Sequence, residues 1–553
     1  MKERPQLREP QIKSSSLWLY FAFIFIVFGA KAVIISNFGS SVPFWDQWSA
    51  EGLGLYCPLI DGTLRWTDLF SSHNEHRIFT TKVLHLLLFK LNSGVWDPMV
   101  QMYANAAIHT ISLVLLLFFL QKGMTQGSRL QFFAFATLLF AVPYGHQNTL
   151  SGFQSQFYFL LLFSFPFLWS ISRYRTGYYH WFFVIVFSGF MSFFSLASGI
   201  LTIAAGIGIL MIRWICGIER TRWTAVLIIV LAIFLFTGLY FTSAKPETKS
   251  LLDFTIALSF ATGGGLLYTP VVLFMIRQLQ KKPSTDDYSW FVFSLSLWVL
   301  AQIFATAFSR GSGILTSRYL DILSIGILLN GYCILFMLQK YGNSRRFKKI
   351  AIIWFLLIIG GLVGIIPSTL RSLENKYAVS IRQKNNVNGY LASGDYTFLQ
   401  KKPHLSTSYL HINFLFYNSG GGISNRLKSI LEYLEDKTPG QRIPYFNGDR
   451  LNSLFEYLEN KTPGQEIPYP DVAGLKSILD NKTISSILTP EVNNRNSNKG
   501  LGLYTEHSKQ VFLLIGIGLF FIGILLFLFE GFILYKNRKK FRQKLIIYNS
   551  VFL

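Results

Sequence analysis

Residues Leu17–Trp48 read LWLYFAFIFIVFGAKAVIISNFGSSVPFWDQW. The run that opens this stretch is apolar except at Lys31, and about 20 such residues in a helix cross the hydrocarbon core of a bilayer. Lys2, Arg4, Arg8 and Lys13 precede it. It is too long for the core of a signal peptide and lacks a small-residue cleavage site, so it reads as an uncleaved anchor that starts inside. Directly beyond it stands Asp46, between Trp45 and Gln47 and close to Pro43, Phe44 and Trp48. A carboxylate among aromatics at a membrane interface is costly unless paired, and such burial favours a general base. The alternative is that Trp45 and Trp48 are interfacial belt aromatics and Asp46 caps a helix.

The same pattern recurs along the chain. Spans are expected at about 17–36, 102–121, 129–145, 154–172, 179–195, 198–215, 223–242, 251–276, 288–308, 319–338, 350–367 and 510–535, twelve in all, with only a short break at Ser195–Gly199. Of 553 residues, 51% are hydrophobic and 14% charged, too few charges to cover a water-soluble enzyme. The same apolar content excludes a disordered chain. The net charge of +23 would suggest nucleic acid on a soluble protein. Its positions argue otherwise, because alternate connections carry the Lys and Arg. They include Lys122, Arg173, Arg175, Arg213, Arg277, Lys281, Lys340, Arg345 and the tail from Lys536. This asymmetry places both termini in the cytoplasm and leaves no call for nucleic acid.

Two outer segments are large, 37–101 and 368–507. The expected fold is an α-helical polytopic membrane protein of about twelve transmembrane helices with a small mixed extracytoplasmic domain. Residues 1–367 form its core, 368–507 the outer domain, and 508–553 the last helix and basic tail. The outer domain holds an internal repeat: Arg426–Tyr445 and Arg450–Tyr469 agree at 15 of 20 positions, and a decayed third copy begins at Leu475. Each unit reads as a short amphipathic helix ended by Thr-Pro-Gly, either a partner-contacting surface or a duplicated structural hairpin. Asn460 and Asn481 open glycosylation-type sequons, too short a signal to carry weight alone. Cys57, Cys216 and Cys333 form no disulfide framework.

Three polar islands remain at outer ends of spans. His73, Glu75, His76 and Arg77 precede an amphipathic run, expected to lie on the outer leaflet with Lys82 and Lys90 reaching for headgroups. Those residues suit substrate hydrogen bonds, a helix start, or a divalent cation, although the spacing is not a recognised metal motif. His146, Asn148 and Gln154 offer donors and acceptors to sugar hydroxyls or fill a polar loop. Arg310 and Arg318, the latter beside Tyr319, are scarce outer arginines whose forks suit phosphate oxygens or lipid headgroups.

With the acid in Phe44-Trp45-Asp46-Gln47-Trp48, the His73–Arg77 segment before an amphipathic helix, and the 368–507 segment, the chain resembles the GT-C superfamily of membrane glycosyltransferases. The likeness covers residues 15–367 in layout and is motif-level only at Asp46, which Gln47 follows where other members often carry a second acid. The resemblance implies a polyprenyl-phosphate-linked sugar donor, a glycan or lipid acceptor, membrane lipids around the helices, and inversion at the anomeric carbon. It further implies Asp46 as catalytic base, Glu75 as a weaker second acid, and phosphate held by Arg310, Arg318 or a metal. Trp45, Gln47, His73, His76, Arg77, His146, Asn148, Gln154 and Tyr319 are then substrate contacts. The expected setting is a bacterial inner membrane with the site on its extracytoplasmic face. A transporter or flippase of lipid-linked glycans, and a polysaccharide polymerase or ligase, are the competing readings.

Overall fold

The structure is a computed structural model that describes residues 17–241, 250–281, 283–341, 344–400, 467–496 and 506–551. Its main helices are α1 (Leu17–Phe38), α2 (Phe79–Leu91), α3 (Pro98–Leu120), α4 (Gln126–Ala141), α5 (Ser155–Arg173) and α6 (Tyr179–Phe193). Then come α7 (Ile200–Ile215), α8 (Arg222–Phe241), α9 (Leu251–Thr262), α10 (Thr269–Gln280) and α11 (Ser289–Arg310). The remainder are α12 (Ser317–Tyr341), α13 (Arg345–Ser393), α14 (Val472–Asp480), α15 (Lys482–Ile487) and α16 (Glu506–Val551). The protein is a helical polytopic membrane protein. Among the described residues nine helices are long and apolar enough to cross a bilayer, and α9 with α10 forms a tenth, bent by 42°. Two expected spans are shorter. α6 has 15 residues and α4 has 16, about 23 and 24 Å at the helical rise, although both pack into the main core.

The bend has a local cause. Gly263, Gly264 and Gly265 sit at φ +57°, +63° and +82°, a left-handed run that residues with a Cβ avoid. Elsewhere the helices pack tightly. Phe119 stacks on Trp169 at 4.8 Å, and Trp298 donates its indole N–H to Thr202 Oγ1. α1 and α16 approach most closely where glycine removes the side chain. A Cβ at Gly29 would lie 2.7 Å from the carbonyl oxygen of Gly516 and 2.9 Å from the backbone nitrogen of Phe520. In lipid, where burial of apolar surface gives little drive, such backbone approach supplies the dispersion contact that joins helices.

The connections sort to two ends. At the loop end, Glu75 meets Arg310, Thr80 meets Ser195, and Ser317 bonds the backbone of Tyr144. At the basic end, Arg173 donates to the carbonyl of Asp286, and Arg175 pairs with its carboxylate.

A second core builds on the loop end. Trp48, Tyr56, Phe89 and Trp96 from the first long connection join Val387, Tyr390, Leu475, Ile478, Ile484 and Leu488. The expected boundary at 367/368 falls inside α13, which runs unbroken from the bundle into this lobe. The described parts of 368–507 are helical. Among the described residues the only β pairing is two isolated bridges, His73–His76 and Trp96–Leu488. Arg426–Tyr445 and most of Arg450–Tyr469 lie outside the described residues. The decayed third copy forms α14, with Leu475, Ile478 and Leu479 buried. The Asn481 sequon serves locally: its Oδ1 accepts from the backbone of Thr483 and Ile484 and caps α15.

Replacing Gly29 with leucine is expected to force α1 away from α16 and destabilise the protein by about 1–3 kcal/mol. Thermal unfolding in nanodiscs checks this, and an unchanged transition would contradict the packing.

Candidate functional site

The site begins where α1 ends. Trp45 adopts φ +50°, its backbone N–H donates to the carbonyl of Pro468 at 2.7 Å, and its ring is exposed. Asp46 then starts a π-helix, Gln47–Tyr56. Such i→i+5 turns are rare and frequent at functional sites. Gln47 and Glu51, four apart, both turn inward and are 1% exposed. Gln47 Oε1 accepts from the Phe44 N–H at 3.1 Å, while its Nε2 faces Glu51 and donates to Gln101 Oε1 at 2.8 Å.

Glu51 is the hub. Its Oε2 accepts from Trp96 Nε1 at 3.0 Å and from Gln101 Nε2 at 2.8 Å. His85 Nδ1 lies 3.2 Å from Oε1, off the line of a hydrogen bond. Four segments, the π-helix, α2, α3 and the turn before α3, are therefore tied to one carboxylate. A Cβ on Gly52 would crowd the Trp96 ring at 3.2 Å, which keeps this turn close.

Above the hub, the expected residues come together. His73 and His76 exchange both backbone hydrogen bonds across a tight turn, at 2.7 and 2.9 Å, with Asn74 at φ +51°. His73 Nε2 lies 3.5 Å from Asp46 Oδ2, His76 Nε2 lies 3.5 Å from Glu75 Oε1, and Arg310 donates to that same Oε1 at 3.1 Å. Asp46, with its side chain 48% exposed, can meet a ligand. Burial works against the Glu75 carboxylate, but His76 and Arg310 outweigh it and hold the group below the usual range. Burial pushes the His76 imidazole down.

Other expected residues do different work. Arg77 donates to the Phe70 carbonyl at 2.8 Å and covers the Phe241 ring. His146 is buried and close to Lys376, which lowers it to about 4 and keeps the ring neutral. Its Nδ1 lies 3.2 Å from Ser317 Oγ. Asn148 donates to the Arg318 carbonyl at 2.7 Å and to Asp321 Oδ2 at 2.9 Å. Gln154 accepts from Gln156, and the Tyr319 ring packs edge-on to Phe157. Arg318 itself is exposed.

Two expectations change. Trp48 is no belt residue; it is fully buried against Trp96 at 5.5 Å. Lys82 does not reach for headgroups. It is buried and donates to the carbonyls of Asp68 and Ser71 and to Ser71 Oγ, because α2 turns its polar residues inward. The outward stripe of α2 is apolar: Val83, Leu87 and Leu91, four apart, are all exposed. Among the described residues no group of three or more His, Cys, Asp or Glu side chains is placed to hold a metal ion.

Glu51, His85, Trp96 and Gln101 were not singled out from sequence. The available signal was weak: an acid four residues after Gln47, and a glutamine in the first turn of an otherwise apolar span. No known protein family, characterised protein or solved structure matches the chain.

Asp97 supports this region from below as N-cap of α3, accepting from the Met99 N–H at 2.9 Å. Burial raises its carboxyl to about 7, and nearby Glu491 adds to the rise. The folded protein thus binds a proton that the unfolded chain releases at the ordinary carboxylate value. Stability from this group is full below that value and falls as pH rises to about 7. Asp97→Asn keeps the cap, so it should flatten the decline in thermal stability between acid and neutral pH. Parallel pH profiles for variant and wild type would contradict this.

Proposed function

We propose that the protein is a membrane glycosyltransferase that moves a sugar from a polyprenyl-phosphate donor to a glycan or lipid acceptor. In this reading the loop end faces the extracytoplasmic side of a bacterial inner membrane, and twelve spans carry the chain across it. The observation that supports it most is the half-exposed Asp46, paired with His73 at the mouth of α1 and flanked by the Glu75–Arg310 ion pair. The exposed apolar stripe of α2 beside that site suits a helix lying at the lipid surface, where a lipid-linked donor would arrive.

In this mechanism an acceptor hydroxyl binds against Asp46. The carboxylate takes the hydroxyl proton as the oxygen attacks the anomeric carbon from the face opposite the lipid phosphate. The bond from that carbon to phosphate oxygen breaks, and both electrons leave with the phosphate. His73 orients Asp46, and Arg318 neutralises the leaving phosphate. Arg310 gives Glu75 a single Nη2 contact and stays half exposed, so its other N–H groups can assist. Charge in the oxocarbenium-like transition state is eased by the nearby acids. Phosphate leaves without protonation, so one essential base suffices.

A second reading, a transporter of lipid-linked glycans, draws on Lys31, His109 and Asp321, which are all buried within the bundle.

The test is Asp46→Asn in proteoliposomes supplied with radiolabelled polyprenyl-phosphate sugar, with mass analysis of the cell-surface glycan in parallel. A general base contributes about 10²–10⁴-fold, so transfer should fall by at least about 100-fold at normal membrane expression. Undiminished transfer would remove Asp46 from the mechanism.

A further inference from the structure

Beneath the loop end the bundle encloses charges that the glycosyl-transfer reading does not use. Lys31 of α1 and Asp321 of α12 are 8% and 3% exposed, and both line a cavity of about 10 Å³ with Tyr144, Gly145 and Thr149. Lys31 lies seven residues from the end of α1, which puts the cavity about 10 Å below that end. The two charges do not touch. Lys31 Nζ donates to Thr149 Oγ1 at 3.1 Å, and Asp321 Oδ2 accepts from Asn148. Gly145 is needed here, since a Cβ would stand 2.4 Å from Asp321 Oδ1.

Unpaired polar atoms surround this gap. His109 of α3 is 1% exposed, stacks on Tyr158 of α5 at 4.3 Å, and both its ring nitrogens lack partners. Asn148 Oδ1 is likewise buried without a hydrogen bond, while Tyr158 Oη faces Asp321 and Thr149 and Tyr144 Oη faces Ser324. Buried polar atoms are almost always satisfied by protein or by water, and a cavity of this volume admits about one water. Toward the basic end the same helices turn in large apolar side chains, among them Phe23, Val27, Leu113 and Leu116, and the polar Ser112, Ser324 and Asn330 there are each bonded to backbone carbonyls. Toward the loop end polar groups continue through Asn148, Ser317, His146 and exposed Arg318.

We propose that this chamber is an intramembrane proton-binding site, with Asp321 as acceptor, Lys31 as its counter-charge and water between them, filled from the loop end. The groups facing Asp321 are Lys31 from α1, Tyr144 from the turn after α4, Asn148, Tyr158 from α5, and Arg318 one turn away on its own helix; His109 reaches the cluster through Tyr158. A hydronium ion that enters gives its proton to the carboxylate, leaving a carboxylic acid and a water molecule. No electrons move. The acid then needs an acceptor, and unpaired Asn148 Oδ1 is at hand. Turning that amide to accept frees the Arg318 carbonyl that its Nδ2 holds, so proton uptake is linked to the start of α12.

The test is independent of glycosyl transfer. Infrared difference spectra between acid and neutral pH are recorded on the full-length protein in nanodiscs. Wild type should show a carboxylic-acid carbonyl band that shifts in heavy water and is lost in Asp321→Asn. Lys31→Gln removes the counter-charge and should raise the midpoint of that band by at least about one pH unit, a tenfold gain in proton affinity. Identical difference spectra for wild type and Asp321→Asn would overturn the proposal. If Asp321→Asn does not accumulate, Lys31→Gln decides: an unmoved midpoint overturns the site as surely.

Discussion

The loop end depends on one buried carboxylate. Glu51 is 1% exposed, and it accepts from an indole 45 residues away in sequence and an amide 50 residues away. A carboxylate removed from water is costly unless its lone pairs are met, and here they are met from separate segments. That requirement fixes the π-helix against α3 and the turn before it, with His85 of α2 set alongside at 3.2 Å, before any ligand is considered. Through Gln47 and Phe44 it also closes the turn that presents Asp46. The aromatic core of Trp48, Tyr56, Phe89 and Trp96 then packs around the polar knot and shields it.

A division of labour follows. Polar residues of the first long connection are spent in two ways: Gln47, Glu51, Lys82 and Asp97 hold the scaffold, while Asp46, His73, Glu75 and His76 stay near the surface with Arg310. The distinction is geometric. Residues of the first group are hydrogen-bonded within the protein and have little exposure. Those of the second pair loosely, at 3.1–3.5 Å, and remain open to a ligand. Arg318 stands apart from both, anchored through its backbone by Asn148 while its guanidinium is exposed.

Much of this was legible in the sequence. Length and apolarity alone marked the long spans, because lipid forces the backbone to satisfy itself within helices. The Asp46, His73–His76 and Arg310 cluster was foreseeable as scarce outer polarity. Its members share no local spacing, so their meeting was not. Nothing in the sequence showed that Gln47 turns inward and Asp46 outward, since a π-helix has no strong residue signature. The inward turn of Lys82 is not legible, because amphipathicity gives the faces of a helix and not which face meets protein. Apolarity ends near 367/368, but α13 continues as a helix whose later turns bury Leu373, Gln383, Val387 and Tyr390 against protein.

The central claim, that Glu51 fixes the loop end, is tested most directly by hydrogen–deuterium exchange on Glu51→Gln in nanodiscs. An amide whose oxygen keeps Trp96 Nε1 and Gln101 Nε2 turns its NH2 group toward Gln47 Nε2, setting donor against donor, and the opposite orientation loses the Trp96 and Gln101 bonds. The account predicts that peptides covering 44–56 and 79–91 lose protection while the spans α11 and α12 keep theirs. Unchanged protection across 44–56 would contradict it.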